Sequence, residues 1–96
     1  MKKHHSQQLP IRLKIEMVQE VAEIIHCFQN GQRAAVDLLI EDLKSRCVHL
    51  DEKIQQDVLM FAEQVQFQFT YDQWHTITQE IQSAADHLIE DLGLQP

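Results

Sequence analysis

An all-α fold, an antiparallel up-and-down four-helix bundle, is what three features of this chain predict. Only two glycines and two prolines occur in 96 residues, and both prolines, Pro10 and Pro96, lie near the ends. Apolar side chains recur at spacings of three and four over long stretches, the period of one face of a helix. The remaining residues are rich in Gln, Glu, Leu, Ile and Ala, which favour helix, and the interruptions between periodic stretches are short. An alternative within the same class has three to four helices completed by a dimer partner.

The first segment spans about residues 10–29. Pro10 suits an opening turn, where a missing N–H costs nothing, so residues 1–9 read as a flexible N-terminal tail ahead of a single helical domain over 10–93. Ile11, Ile15, Val18, Ala22 and Ile25 form one stripe, and Leu13, Met17, Val21, Ile24 and Phe28 form a second beside it. At 100° per residue the two together cover about 200° of the helix, more than one packing partner requires. Asn30-Gly31 is a C-terminal stop, because Gly takes the left-handed position without steric cost.

The second segment, about 33–50, aligns Val36, Leu39, Ile40, Leu43, Cys47 and Leu50. His49 to Glu52 is the weakest boundary. A turn there, with Asp51 as the N-cap of the next helix, competes with one long bent helix. In the third segment, about 52–68, Ile54, Val58, Phe61, Ala62, Val65 and Phe69 share a face, with Leu59, Met60 and Phe67 off it. Val65-Gln-Phe-Gln-Phe-Thr-Tyr alternates with a strand-like period, but no second strand is there to pair with it, so it reads as a fraying helix end and a turn. Thr70-x-x-Gln73 fits a capping box opening a fourth segment, whose apolar face is Trp74, Ile77, Ile81, Ala84, Ala85, Leu88 and Leu92, and which Gly93 ends.

Charge is divided unevenly. The first 53 residues hold eight basic and eight acidic side chains, and the seven carboxylates after Lys53 meet no Lys or Arg, so the whole net charge of −7 belongs to the second half. Such a balance bears on partners and solubility, not on fold. It argues against nucleic acid, which needs clustered cations; around Asn30-Gly31, a helix-turn-helix reading would place Asp37, Glu41 and Asp42 on the recognition helix. No apolar run approaches the roughly 18 residues of a membrane span, and the basic start lacks the apolar stretch of a signal peptide. A soluble cytoplasmic protein with no membrane partner is expected. Cys27 and Cys47 would stand at different heights in a hairpin turning at Gly31, too far apart for a bridge, and read as two reduced thiols.

Glu23-x-x-His26 and Asp72-x-x-His75, with Asp37 and Glu63 at nearly the same level, have the residue types of a di-metal carboxylate bundle. Their faces disagree: Glu23 and His26 sit in the polar arc of their helix, and Glu63 and Asp37 point away from their own apolar stripes. Zinc through His26, Cys27, Cys47 and His49 fails on divergence of neighbouring residues. With no Gly-rich elbow, phosphate loop or oriented nucleophile, neither an enzyme, a metal nor a cofactor is expected.

What remains is surface. The expected function is a small acidic helical interaction or regulatory module, adaptor or chaperone-like, acting as a homodimer or on a protein partner of unknown identity. Its partner surface would be Leu13, Met17, Val21, Ile24 and Phe28 with Met60 and Phe67, since a stripe of that size is costly in water and Met adapts to irregular contacts. A second expectation is acidic mimicry, in which Glu80, Asp86, Glu90 and Asp91 occupy a basic surface of another protein. A metal or redox bundle is the third.

Overall fold

The computed structural model of the chain describes residues 2–70 and 76–93, with side chains from residue 11 onward. Four helices make an antiparallel bundle: α1 (Lys2–Gln29), α2 (Arg33–Cys47), α3 (Glu52–Thr70) and α4 (Gln79–Leu92). No strand occurs among the described residues. α1 packs chiefly on α2 and α3 on α4, while α2 against α3 joins the two hairpins and α1 meets α4 only slightly.

Both glycines end helices with positive φ, Gly31 at 71° and Gly93 at 72°, the conformation that only Gly adopts without strain. The break after α2 is real: the helix ends at Cys47 and the next begins at Glu52. Asp51 caps α3 by accepting from the backbone N–H of Ile54 at 3.1 Å. Gln55 reaches back from α3 to donate to the carbonyl of Leu50 at 2.8 Å, tying the turn to the helix it feeds.

Three expectations about boundaries are corrected. Helix α1 runs from Lys2 and not from Pro10. The Lys, Gln and Leu of residues 2–9 are good helix formers, and Pro10 removes only one hydrogen bond from a helix of 28 residues. The alternating stretch after Val65 stays helical through Thr70, because Val65, Gln68 and Phe69 are buried on one face and no neighbouring strand offers the backbone another partner. Thr70 closes α3 and does not cap α4: its hydroxyl donates to the Gln66 carbonyl at 3.0 Å. The N-cap of α4 is Thr78, whose hydroxyl accepts from the N–H of Ile81 at 3.3 Å. Trp74, expected on the face of the fourth helix, lies outside the described residues.

One core fills the space between the helices. Phe28, Phe61, Met17, Ile24, Ile40, Leu43, Ile81 and Leu88 are fully buried, each contributing about 1.5–3 kcal/mol by leaving water. At the end where α1 and α3 finish, Phe28 and Phe69 meet edge to face with ring centroids 4.9 Å apart, a geometry worth about 0.5–1.5 kcal/mol beyond burial. The Arg33 guanidinium lies 5.8 Å from the centre of the Phe69 ring and covers its outer side.

The two stripes of α1 have separate fates. Met17, Val21, Ile24 and Phe28 are 0–1% exposed, and Leu13 packs half-buried against them. Ile11 and Ile15 of the other stripe are exposed, while Val18 and Ile25 are half-buried. The buried arc runs from Cys27 and Glu20 at one edge to Val21 at the other, roughly 120° at 100° per residue, an ordinary amphipathic width.

Candidate functional site

Of the residues expected to meet a partner, Met17, Val21, Ile24 and Phe28 are therefore interior side chains, which no partner reaches in the folded chain. Their spacing is that of a packing face, and they pack within the chain itself. Leu13 is half-buried, and Met60 and Phe67 are exposed at 57% and 56% on the outer face of α3. Among the described residues, the large apolar side chains left exposed are Ile11 and Ile15 on α1, Leu38 on α2, Val48 after it, and Leu59, Met60 and Phe67 on α3. Ile11 and Ile15, one turn apart, line a shallow depression with Arg12 and Glu16.

This part of α1 has no α2 beside it. Arg46, one residue before the end of α2, pairs with Glu16, so these two positions are level. From there α1 continues back to Lys2, 14 residues or about 21 Å at 1.5 Å per residue. The overhang carries Lys2, Lys3, Arg12 and Lys14 and no carboxylate before Glu16.

Two charged clusters stand elsewhere. Arg46 gathers three carboxylates from two helices: it donates from Nε to Asp42 at 2.9 Å, binds Glu16 through a guanidinium nitrogen, and stands 3.2 Å from Glu20. The single Nε proton is aimed at Asp42, so Glu20 Oε1 gains a charge contact but no hydrogen bond. Burial, then the adjacent Asp42 carboxylate, pushes Glu20 up to about 7, with Arg46 opposing. Asp42 is held below the ordinary range by its hydrogen bonds with Glu20 and Arg46.

The second cluster joins α3 to α4. Asp57 lies five residues into α3, and His87 and Asp91 lie on one face of α4 near its end. His87 Nε2 is 3.7 Å from Asp57 Oδ1 and 3.5 Å from Asp91 Oδ2, and Lys53 Nζ is 3.4 Å from Asp91 Oδ1. The Asp57 and Asp91 side chains are 10% and 13% exposed. When both are ionised, an Oδ2 of each is a buried acceptor with no donor. Burial and then the neighbouring Asp91 carboxylate push Asp57 up to about 6, with His87 and Lys53 opposing, while the proximity of Asp57 and then Lys53 and His87 hold Asp91 below the ordinary range.

Asp91 thus leaves the expected acidic patch, because it turns inward toward Asp57 and Lys53. Glu80, Asp86 and Glu90 remain exposed on α4, with Asp86 accepting from Gln82 at 2.9 Å. Of the residues weighed for a di-metal centre, Glu23, His26, Asp37 and Glu63 are exposed, while Asp72 and His75 lie outside the described residues. Cys27 and Cys47 are free and buried, with burial raising the Cys47 thiol. His26 and His49, the other half of the weighed zinc set, are exposed.

Sequence reasoning missed the cluster of Asp57, His87 and Asp91. His87 reads alone as a cation near a helix C-terminus. The signal lay in its spacing, since His87 and Asp91 are four apart and share a face, and Asp57 and His87 each stand five residues from the ends of α3 and α4 that meet. No described helix is long and apolar enough to cross a membrane. Comparison with known proteins finds no matching family model, no matching curated protein and no matching solved structure.

Proposed function

We propose that the chain is a helical protein–protein interaction module that forms a two-fold homodimer, and that it acts by packing and not by covalent chemistry. The observation that carries this reading is the overhang of α1: about 21 Å of helix beyond the level of Arg46 and Glu16, with Ile11 and Ile15 in water. Apolar helix surface without a neighbour is costly, and a second copy supplies a surface that suits it. Leu59 and Met60 are exposed on α3, with the carboxylate of Glu63 beside them.

Charge selects the same pairing. The overhang is basic through Arg12 and Lys14, and beyond Lys53 the chain has no cation. Laying the overhang of each copy along the second hairpin of the other joins opposite charges, whereas pairing two overhangs or two second hairpins joins like ones. Leu59 and Met60 are seven and eight residues into α3, about 11–12 Å from its start, within the span of the overhang. A two-fold repeats the contact, giving the isologous interface of most dimers. The module works in the cytoplasm under this reading, where the thiols of Cys27 and Cys47 stay reduced.

Sedimentation equilibrium across a salt series tests it. The expected mass at micromolar concentration and low salt is twice 11.3 kDa, with dissociation favoured as salt screens the pairing. Met60→Glu is expected to give monomers at every salt concentration. A strict monomer at low salt rejects the reading. A salt-dependent capture of basic proteins by that monomer would support acidic mimicry through Glu80, Asp86 and Glu90 instead.

A further inference from the structure

The cluster lies at the open end of the second hairpin, where α3 begins and α4 ends. Two nearly buried carboxylates, on different helices, present acceptors to the same space, and Asp57 Oδ2 has no hydrogen-bond donor although its side chain is nine-tenths buried. Carboxylates so placed need a positive partner between them. Lys53 does not fill that role: its ammonium lies on Asp91 Oδ1 and leaves Oδ2 facing His87.

From these positions we propose that Asp57, His87 and Asp91 bind one divalent first-row transition-metal ion, of which zinc is the type. The three donors come from two helices and lie within 4.8 Å of one another. Donors bonded at about 2.0–2.2 Å to a tetrahedral ion stand roughly 3.3–3.6 Å apart. The His87 separations of 3.5 Å to Asp91 and 3.7 Å to Asp57 already approach that edge. His87 and Asp91, four residues apart on α4, have the helical spacing that lets one face present two ligands.

The surroundings supply the rest of a metal site. Lys53 orients Asp91 from the side away from the ion, as an outer partner of a ligating carboxylate does. His87 is 57% exposed, so the ion enters from solvent and keeps water in its fourth position. An imidazole with two carboxylates suits zinc, cobalt or manganese better than calcium, which takes six to eight oxygens. Loading clamps α3 to α4.

The test is calorimetric titration of the full-length, untagged protein with zinc chloride at pH 7.5, paired with thermal unfolding followed by circular dichroism. The expected result is uptake of one equivalent. Zinc at a hundredfold excess over its dissociation constant should raise Tm by roughly 11–22 °C. His87→Ala, at a side chain more than half exposed, and Asp57→Asn, which keeps the shape of the carboxylate, should each keep the helical spectrum and lose that uptake and that shift. His4→Ala/His5→Ala should retain both. Failure of the wild-type chain to take up zinc overturns the proposal, as does uptake that survives His87→Ala and Asp57→Asn. These readouts do not depend on dimerisation.

Discussion

Arg46 stands 3.2 Å from Glu20 across the seam of α1 and α2, yet the one proton on its Nε is committed to Asp42. Glu20 is thus a nearly buried carboxylate that feels a cation without accepting a hydrogen bond from it on Oε1. Its position on α1 also decides which apolar stripe faces inward. Glu20 lies about 20° around the helix from Leu13 but roughly 160° from Ala22, at 100° per residue, so closing the network with Arg46 turns the stripe of Met17 and Ile24 into the core.

Stability should fall as pH rises from about 5 to 8. Glu20 moves from an ordinary 4.5 to about 7 in the folded chain. Between those values the folded state therefore keeps a proton that the unfolded state has lost, and folding weakens as pH rises. Asp57, moved from 3.8 to about 6, has the same sign. Asp42 and Asp91, held below 3.8, have the opposite sign and lose their contribution only in stronger acid. Metal-free protein should accordingly show a higher Tm at pH 5 than at pH 8. A Tm that rises between those two would reject the assignment of Glu20.

Glu20→Gln keeps the shape of the protonated acid and removes the charge. It should stabilise the chain by about 1–2 kcal/mol at pH 8 and change little at pH 5, flattening the pH profile. Urea unfolding at the two pH values measures both halves of that statement.

Arg46→Ala should cost about 2–4 kcal/mol at pH 8, because it leaves the carboxylate of Glu20 without its cation. In the Glu20→Gln background the same change should cost at least about 1 kcal/mol less, a coupling read from a double-mutant cycle. Additive effects of the two substitutions would show that the contact carries no energy.

Exchange of one apolar residue for glutamate should separate the stripes of α1. Met17→Glu, at 0% exposure, buries an unpaired charge and should unfold the domain or lower its stability by more than about 4 kcal/mol. Ile15→Glu, at 45% exposure, should leave the stability of the isolated monomer within about 0.5 kcal/mol while preventing dimerisation. Helical circular dichroism of each variant, with its mass in solution, checks the contrast.

Phe28→Ala should lower stability by about 3–5 kcal/mol, through the cavity it leaves and the loss of its edge-to-face contact with Phe69. Thermal unfolding of the variant measures it.

The helical class, the number of segments and the stops at Gly31 and Gly93 were legible because period and punctuation are local properties. So was Asp51, whose carboxylate needs only the next turn of its own helix. Thr70 shows the limit: a capping pattern also fits a threonine that ends a helix by donating to Gln66, and only the following chain decides between them. The two stripes of α1 were legible as apolar, but the one expected to meet a partner is the one that fills the core. Which stripe turns inward depends on Arg46, thirty residues from Glu16, and no period within α1 contains that contact. The pairing of Asp57 with His87 and Asp91 is hidden for the same reason, since it exists only once α3 lies against α4.

Nuclear Overhauser measurements on a mixture of differently labelled copies test the central claim most directly, by asking what touches the overhang of α1. Intermolecular cross-peaks between the methyl groups of Ile11 or Ile15 in one copy and Met60 in the other are the predicted result, vanishing in Ile15→Glu. A mixed sample in which those methyls show contacts only within their own chain would contradict the account.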